Sequence, residues 1–402
     1  MSSVYESLGV RPIINAAGFQ TRFGGAPLPR EVLDAMAEAA SACVRMEELQ
    51  EAAGKVIAEA TGAEAGIVTS GAAAGLTLGT AACLAGLDVA RMDRLPDTTG
   101  MPDEVVAQRA HRNAYDHAVR AAGARFVEAG YLGYPGAGGT HPWQVEAAIS
   151  ERTAALYWAV MDAPGTVPLA ELCRIAHGHS LPVIVDAAAA LPPAEHLREF
   201  IADGADLVSY SGGKALLGPQ ASGILCGRKD LIQSVLLQQQ DMDVHPESWS
   251  YRVRYLESGV LPGPPHQGIG RGFKVGKEEI AGLVTALRRY VQRDHGADHA
   301  RWERLANDVA EGLAGIPHVR ATCFCPPAQA VPRAHVELDE QALGLSTFDA
   351  IQRLLDGEPR VAVSEGRARQ GGLVVNPTAL RDEDLNPLIT RLRTVLGGQA
   401  QP

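Results

Sequence analysis

Between about residue 50 and residue 240, short apolar runs alternate with longer, Ala-rich stretches of helical character. The runs at 66–70, 104–108, 124–128, 155–160, 182–186 and 206–210 each have the length of a strand, and several are apolar throughout. Strands buried on both faces read this way, and helices between them imply a parallel sheet with both faces covered. The run 223–226 follows the one before it too closely for a helical crossover, so it is expected to join the sheet antiparallel. The pattern predicts a doubly wound α/β domain with one reversed strand.

After a Pro/Gly-rich bend at 261–265, a helix over 277–293 reads as a connector. Strands around 319–325, 334–338 and 373–375, with a helix near 382–396, predict a small α+β domain. The expected organisation is an N-terminal segment, 1–45, packing on both domains, a large domain at 46–275, and a connecting helix with the small domain at 276–402. Neither internal repeats nor low-complexity segments interrupt this order.

Charge narrows the function classes. The chain of 402 residues carries 36 basic and 47 acidic side chains, a net charge of -11, without a Lys/Arg run. Such a surface repels a phosphate backbone, so nucleic acid is not an expected partner. The six cysteines form no CxxC pair and read as small buried residues of a reducing compartment. No leader-like N-terminus and no uninterrupted apolar stretch of about 18 residues is present. These features predict a cytoplasmic enzyme or binding protein. His111, His117, His177 and His179 lack the companion ligands a metal site needs, and no metal is expected.

Three local features carry chemistry. Ser209 to Gln220 places Lys214 after Gly212-Gly213 at a strand's carboxyl end, where open α/β sheets bind ligands. Glycines there allow close approach of a ligand, and burial lowers a lysine's pKa toward nucleophilic use. The plain alternative is a surface lysine in a glycine turn. A nucleotide phosphate loop fails at Val208 and Ala215, which stand where its first Gly and its Ser/Thr belong. Asp186 ends a buried strand and needs a charged or hydrogen-bonding partner, for which a pyridinium nitrogen is suited; a helix N-cap is the alternative. Ala188 is small enough to let a flat ring lie against the backbone. Ser70-Gly71-Ala72 opens an Ala-rich helix and forms an anion-binding turn, or else an ordinary capped helix. Together the three supply contacts for the phosphate, ring nitrogen and aldehyde of pyridoxal 5′-phosphate (PLP), with Lys214 carrying it as a Schiff base.

The ordered series of motifs resembles the selenocysteine-synthase-related branch of fold-type I PLP enzymes, and within it the D-glucosaminate-6-phosphate ammonia-lyase-like proteins. The resemblance runs through Ile14-Asn15-Ala16-Ala17-Gly18, Val68 to Ala74, Val185-Asp186-Ala187-Ala188, Ser209 to Gln220 and Gly270 to Glu279. It implies an aspartate-aminotransferase-like fold, with a mostly parallel seven-stranded sheet, and a site at a homodimer interface. It makes Lys214 the Schiff-base lysine and Asp186 the partner of the ring nitrogen, with Ser70, Gly71, Ala72 and Ser211 around the phosphate. His111 is expected to stack on the ring, with Tyr115 in reserve and a solvent-facing cap as the plain alternative. Arg22, Arg271 and Arg367 are candidates for a substrate anion, and His141 reads as a turn residue that can line the pocket. Two departures matter. Gly213 and Gly25 stand where selenocysteine synthase has Asp and Arg, and its N-terminal tRNA-binding extension has no counterpart here. The expected reaction is α,β-elimination of a β-hydroxylated or sugar-derived amino acid, giving ammonia and a 2-keto acid. A racemase, aldolase or transferase is the alternative, and a non-catalytic binding protein comes last.

Overall fold

The computed structural model describes residues 4–132, 139–325 and 331–398, and these form two compact units. One is Leu28–Val291; the other combines Met1–Pro27 with Gln292–Pro402. The segment expected at 1–45 is thus divided, its residues up to Pro27 belonging with the C-terminal part. The helix Lys277–Gln292 lies almost wholly in the larger unit. Its Gly282 accounts for this: a Cβ there would stand 2.7 Å from Met36 and 2.8 Å from Pro219, so the helix is packed closely onto that unit's own elements.

In the larger unit seven strands form one sheet: β1 (Ala65–Thr69), β2 (Glu104–Gln108), β3 (Arg125–Ala129), β4 (Thr153–Ala159), β5 (Val183–Asp186), β6 (Leu207–Ser211) and β7 (Gly223–Gly227). Their order is β1-β7-β6-β5-β4-β2-β3, with β7 antiparallel to both neighbours and the other pairings parallel. This is the expected sheet, including its reversed strand. Strands β4 to β7 are buried almost throughout, as continuous apolar runs require.

The helix Ala72–Ala85 is apolar on every side and buried nearly throughout, which suits a helix enclosed by other elements rather than an amphipathic one. Small residues bring it against the sheet. A Cβ on Gly75 would meet the Ser209 Oγ at 2.4 Å, and that hydroxyl donates to the Ala72 carbonyl at 2.9 Å. The N-terminus of this helix is therefore fixed against β6.

The other unit has a three-stranded antiparallel sheet with Arg333–Leu338 between Val319–Phe324 and Gly372–Val375. The helices His295–Gly312, Thr347–Asp356 and Leu385–Leu396 supply its core. A second, two-stranded parallel pairing joins Ile13–Ala16 to Arg360–Val363. This pairing ties the N-terminal residues to the C-terminal part and was not visible in the sequence pattern.

Candidate cofactor site

The carboxyl ends of the parallel strands define one edge of the large sheet, and register decides what meets there. Thr69 pairs with Gly223, which pairs with Ser211, so the ends of β1 and β6 flank the start of β7. Directly after Thr69, Ser70 and Gly71 lead into the helix Ala72–Ala85, with Gly71 at φ 106° as its N-cap. That backbone conformation favours glycine. Gly223 has no room for a side chain either: its Cβ would lie 2.5 Å from the Gly71 carbonyl carbon and 2.7 Å from the Ala72 nitrogen. The result is a tight turn whose leading N–H groups lack intrahelical partners, an anion cradle at a helix N-terminus. The Ser70 hydroxyl donates to the Phe273 carbonyl at 3.0 Å, which fixes its oxygen beside the turn.

Asp186 ends β5, level with Ser209 of β6 and Ala159 of β4. No helix begins after it; the next, His196–Ala202, starts well beyond, so Asp186 is not a helix N-cap. Its Oδ1 accepts from the Ala188 N–H at 3.0 Å and its Oδ2 from the Tyr157 hydroxyl at 3.2 Å. Burial pushes its pKa up, while these two donors and the charge of Lys214 pull it back down. Lys214 follows β6 and is moved the opposite way, its pKa lowered by burial and raised by Asp186. The two residues thus stand within electrostatic reach, each displaced toward its neutral form.

The glycines before Lys214 also make room for the chain itself. A Cβ on Gly212 would lie 2.2 Å from the Ser222 Oγ, and one on Gly213 2.6 Å from the Gln220 Cα. The chain's own return loop packs closely on both glycines. The turn is closed by the Gly218 N–H donating to the Gly212 carbonyl at 2.9 Å.

His111 lies in a short 3-10 turn after β2 and is fully buried, which rules out a solvent-facing cap. The Ala159 N–H points at its Nδ1 at 3.5 Å, which leaves the proton on Nε2. That Nε2 is buried without a hydrogen-bond partner. The ring meets Trp158 edge-on at 5.1 Å, and burial pulls its pKa down to about 4, so it is neutral at physiological pH. Tyr115, by contrast, is exposed. His141 is an exposed helix cap stacked on Trp143.

The three arginines are divided between the two units. Arg271 belongs to the larger unit and pairs with Asp241 at 2.9 Å. Arg22 and Arg367 belong to the other unit, where they pair with Glu365 and with Glu337. Sequence reasoning missed Tyr157 and Asn113. Tyr157 is fully buried in β4, and its hydroxyl stands between Asp186 and the Asn113 Nδ2, 3.4 Å away. A tyrosine inside a strand of otherwise apolar residues needs a partner for its hydroxyl, and that was the available signal.

The donor set fits PLP: an anion cradle at Ser70–Ala72, a buried carboxylate for a ring N–H, a buried neutral imidazole and a lysine of lowered pKa share one sheet edge. Comparison with known proteins agrees. A 5′-C-glycyluridine monooxygenase-decarboxylase from Streptomyces sp. is 34% identical over 98% of this chain and 92% of its own length. D-glucosaminate-6-phosphate ammonia lyase from Salmonella typhimurium (strain 14028s / SGSC 2262) is 33% identical over 98% of both chains. A solved structure of D-glucosaminate-6-phosphate ammonia-lyase superposes with a TM-score of 0.81 at 32% identity, covering both chains completely. The chain belongs to the selenocysteine-synthase-related, fold-type I PLP enzymes. The family model that matches, SelA (L-seryl-tRNA selenium transferase), spans residues 113–243. That stretch holds the family's strongest local signal, Asp186 and Lys214, but neither the Ser70 turn nor His111. The protein is accordingly an enzyme, with PLP as its cofactor.

Proposed function

We propose that this enzyme is an ammonia-lyase acting on a β-hydroxylated or sugar-derived amino acid, releasing a 2-keto acid. The observation that carries the reading is the Lys214–Asp186 pair, oppositely perturbed at the sheet edge of a chain 33% identical to an ammonia lyase over nearly its whole length. A non-catalytic descendant has no need to keep two buried charges in this relation.

When bound, PLP withdraws electrons from the bonds at the substrate's α-carbon. The residues' own contributions follow from their surroundings. Lys214, with its amine shifted toward the neutral form, would hold the cofactor by its aldehyde and, once displaced by the substrate amine, would be placed to accept the α-proton. Asp186 holds a proton at the ring nitrogen, and Ala188 and Tyr157 keep its carboxylate in place. His111 offers a buried, uncharged ring for stacking. Ser70, Gly71, Ala72 and Ser211 take the phosphate. Arg271, Arg22 and Arg367 are the candidates for the substrate's anionic group, and bidentate geometry suits them to it. We further propose a cytoplasmic homodimer. Among the described residues no helix is long and apolar enough to cross a membrane.

A second reading rests on the other relative, whose name specifies oxygen use and decarboxylation. The two are separated by product analysis. Incubation of the PLP-loaded protein with a panel of D- and L-amino acids and amino sugar acids should release ammonia and 2-keto acid in equal amounts. Oxygen consumption with carbon dioxide release, and no ammonia, would replace the lyase assignment by the oxidative one. Borohydride reduction tests the site independently: pyridoxyl mass should appear on the peptide containing Lys214, and label on another lysine would remove Lys214 from its role.

A further inference from the structure

The turn after β2 carries His111, and the side chains that follow hold its backbone. Asp116 is 7% exposed. Its Oδ1 accepts from the Asn113 N–H at 3.3 Å and its Oδ2 from the Arg112 Nε at 2.6 Å. Arg112 also pairs with Glu128, which Arg109 reaches at 2.7 Å, so two cations and two carboxylates balance across the turn. The Arg112 guanidinium lies 4.3 Å over the Phe126 ring, and Phe126 meets Tyr157 edge-on at 5.6 Å. Turn and tyrosine ring are thereby fixed relative to one another. What stays adjustable between them is the torsion of one hydroxyl.

Asn113 settles that torsion. Its Oδ1 accepts from the Tyr115 N–H at 2.8 Å, which assigns the two ends of the amide. The Nδ2 end then faces the His111 carbonyl at 3.2 Å and the Tyr157 oxygen at 3.4 Å. An amide nitrogen only donates, and an ionised carboxylate only accepts. The single Tyr157 hydroxyl proton therefore goes to the Asp186 Oδ2, 3.2 Å away, while the Tyr157 oxygen accepts from Asn113.

One side chain thus touches the segment that bears His111 and, through Tyr157, reaches Asp186. We propose that Asn113 is a positioning residue of the cofactor site, which aims the Tyr157 hydroxyl at Asp186 and so sets how firmly Asp186 holds the proton of the ring nitrogen. The Ala188 N–H and the charge of Lys214 also favour the Asp186 carboxylate, and the charge of Asp116 opposes it. Substitution of Asn113 leaves all three in place.

The visible absorption of the PLP-loaded protein, titrated with pH, tests this. No substrate is needed, so the result does not depend on which reaction the enzyme catalyses. A positive charge on the cofactor ring lowers the pKa of the imine formed with Lys214, and a weaker hold on the ring proton raises it. Asn113→Ala should therefore move the spectral midpoint up by about half a pH unit or more, the scale of one hydrogen bond. In a Tyr157→Phe background the same substitution should add nothing further, because the hydroxyl it aims is gone. An unmoved midpoint, or equal shifts in both backgrounds, overturns the proposal. If Asn113→Ala no longer retains PLP, thermal scans of the apoproteins decide. Weaker support for the Asp186 carboxylate raises its folded pKa further, so the variant's deficit in melting temperature should widen from pH 4 to pH 8. That widening should be absent in the Tyr157→Phe background. A deficit constant across pH would make Asn113 a turn residue and nothing more.

Discussion

Burial works on Lys214 and Asp186 in opposite directions, disfavouring the charged form of each at some expense in stability. For Asp186 the sign can be followed through. In the unfolded chain its carboxyl titrates near the ordinary 3.8; in the folded protein burial holds the value higher. The folded state therefore favours the protonated form, and stability from this group is lost as pH rises from that ordinary value through the raised one. Asp186→Asn imitates the protonated carboxyl. The apoprotein variant should melt higher than wild type at pH 7–8 and lose that advantage toward pH 4, in paired thermal scans. The same variant should lose about a hundredfold or more in turnover, the scale seen when a buried electrostatic group at the reacting centre is removed. Activity within a few-fold of wild type would take the ring nitrogen away from Asp186. Tyr157→Phe makes the complementary case. Removing its hydroxyl deletes one of the contacts that lower the Asp186 pKa, so the acid limb of the kcat/KM profile should move to higher pH. An unmoved limb would reduce Tyr157 to a packing role.

At the scale of elements, the helix Ala72–Ala85 is what sets the cradle, and its seating depends on Gly75. Gly75→Ala places a methyl 2.4 Å from the Ser209 Oγ, so it should destabilise the fold by about 1–3 kcal/mol, the range for overpacking. Ser209→Ala removes the obstructing oxygen and leaves the Ser209 Cβ at a tolerable 3.4 Å. The two substitutions together should therefore cost less than the sum of each alone, a coupling readable in a double-mutant cycle of denaturation midpoints. Strict additivity would mean the helix shifts elsewhere to relieve the contact. The large sheet was legible in the sequence because strands β4 to β7 are buried on both faces and so read as unbroken apolar runs. The pairing of Ile13–Ala16 with Arg360–Val363 was not, since two four-residue strands far apart in the chain carry no mutual signal. Lys214, Asp186 and the Ser70 turn were legible as strand-end residues. Tyr157 was hidden because an aromatic residue in an apolar run passes for core, and the packing of the return loop on Gly212 and Gly213 was hidden because composition does not tell what approaches a glycine.

Over the whole molecule, two glycines and the net charge bear on which branch of the family this chain can serve. Gly25 has φ 76°, and its carbonyl accepts from the Asn15 Nδ2 at 2.6 Å, so an arginine there would strain the backbone. Gly213 lies against the Gln220 backbone, where any side chain collides with main-chain atoms. The Arg and Asp that the resemblance to selenocysteine synthase implies at these positions would strain or collide in the turns seen here, and Gly213→Asp should disturb the turn that presents Lys214 and reduce PLP retention. Acquiring the transferase's residues would require rebuilding both loops. Charge adds a second barrier, since at -11 the surface as a whole repels a polyanion whose binding rests on many phosphate contacts. Wild-type protein should accordingly show no saturable tRNA binding at about 0.15 M salt, where screening leaves only direct contacts effective. Filter binding across a salt series decides this. A complex that saturates at physiological salt, with an affinity falling steeply as salt rises, would reveal a basic surface that the net charge conceals and would return the transferase branch to consideration.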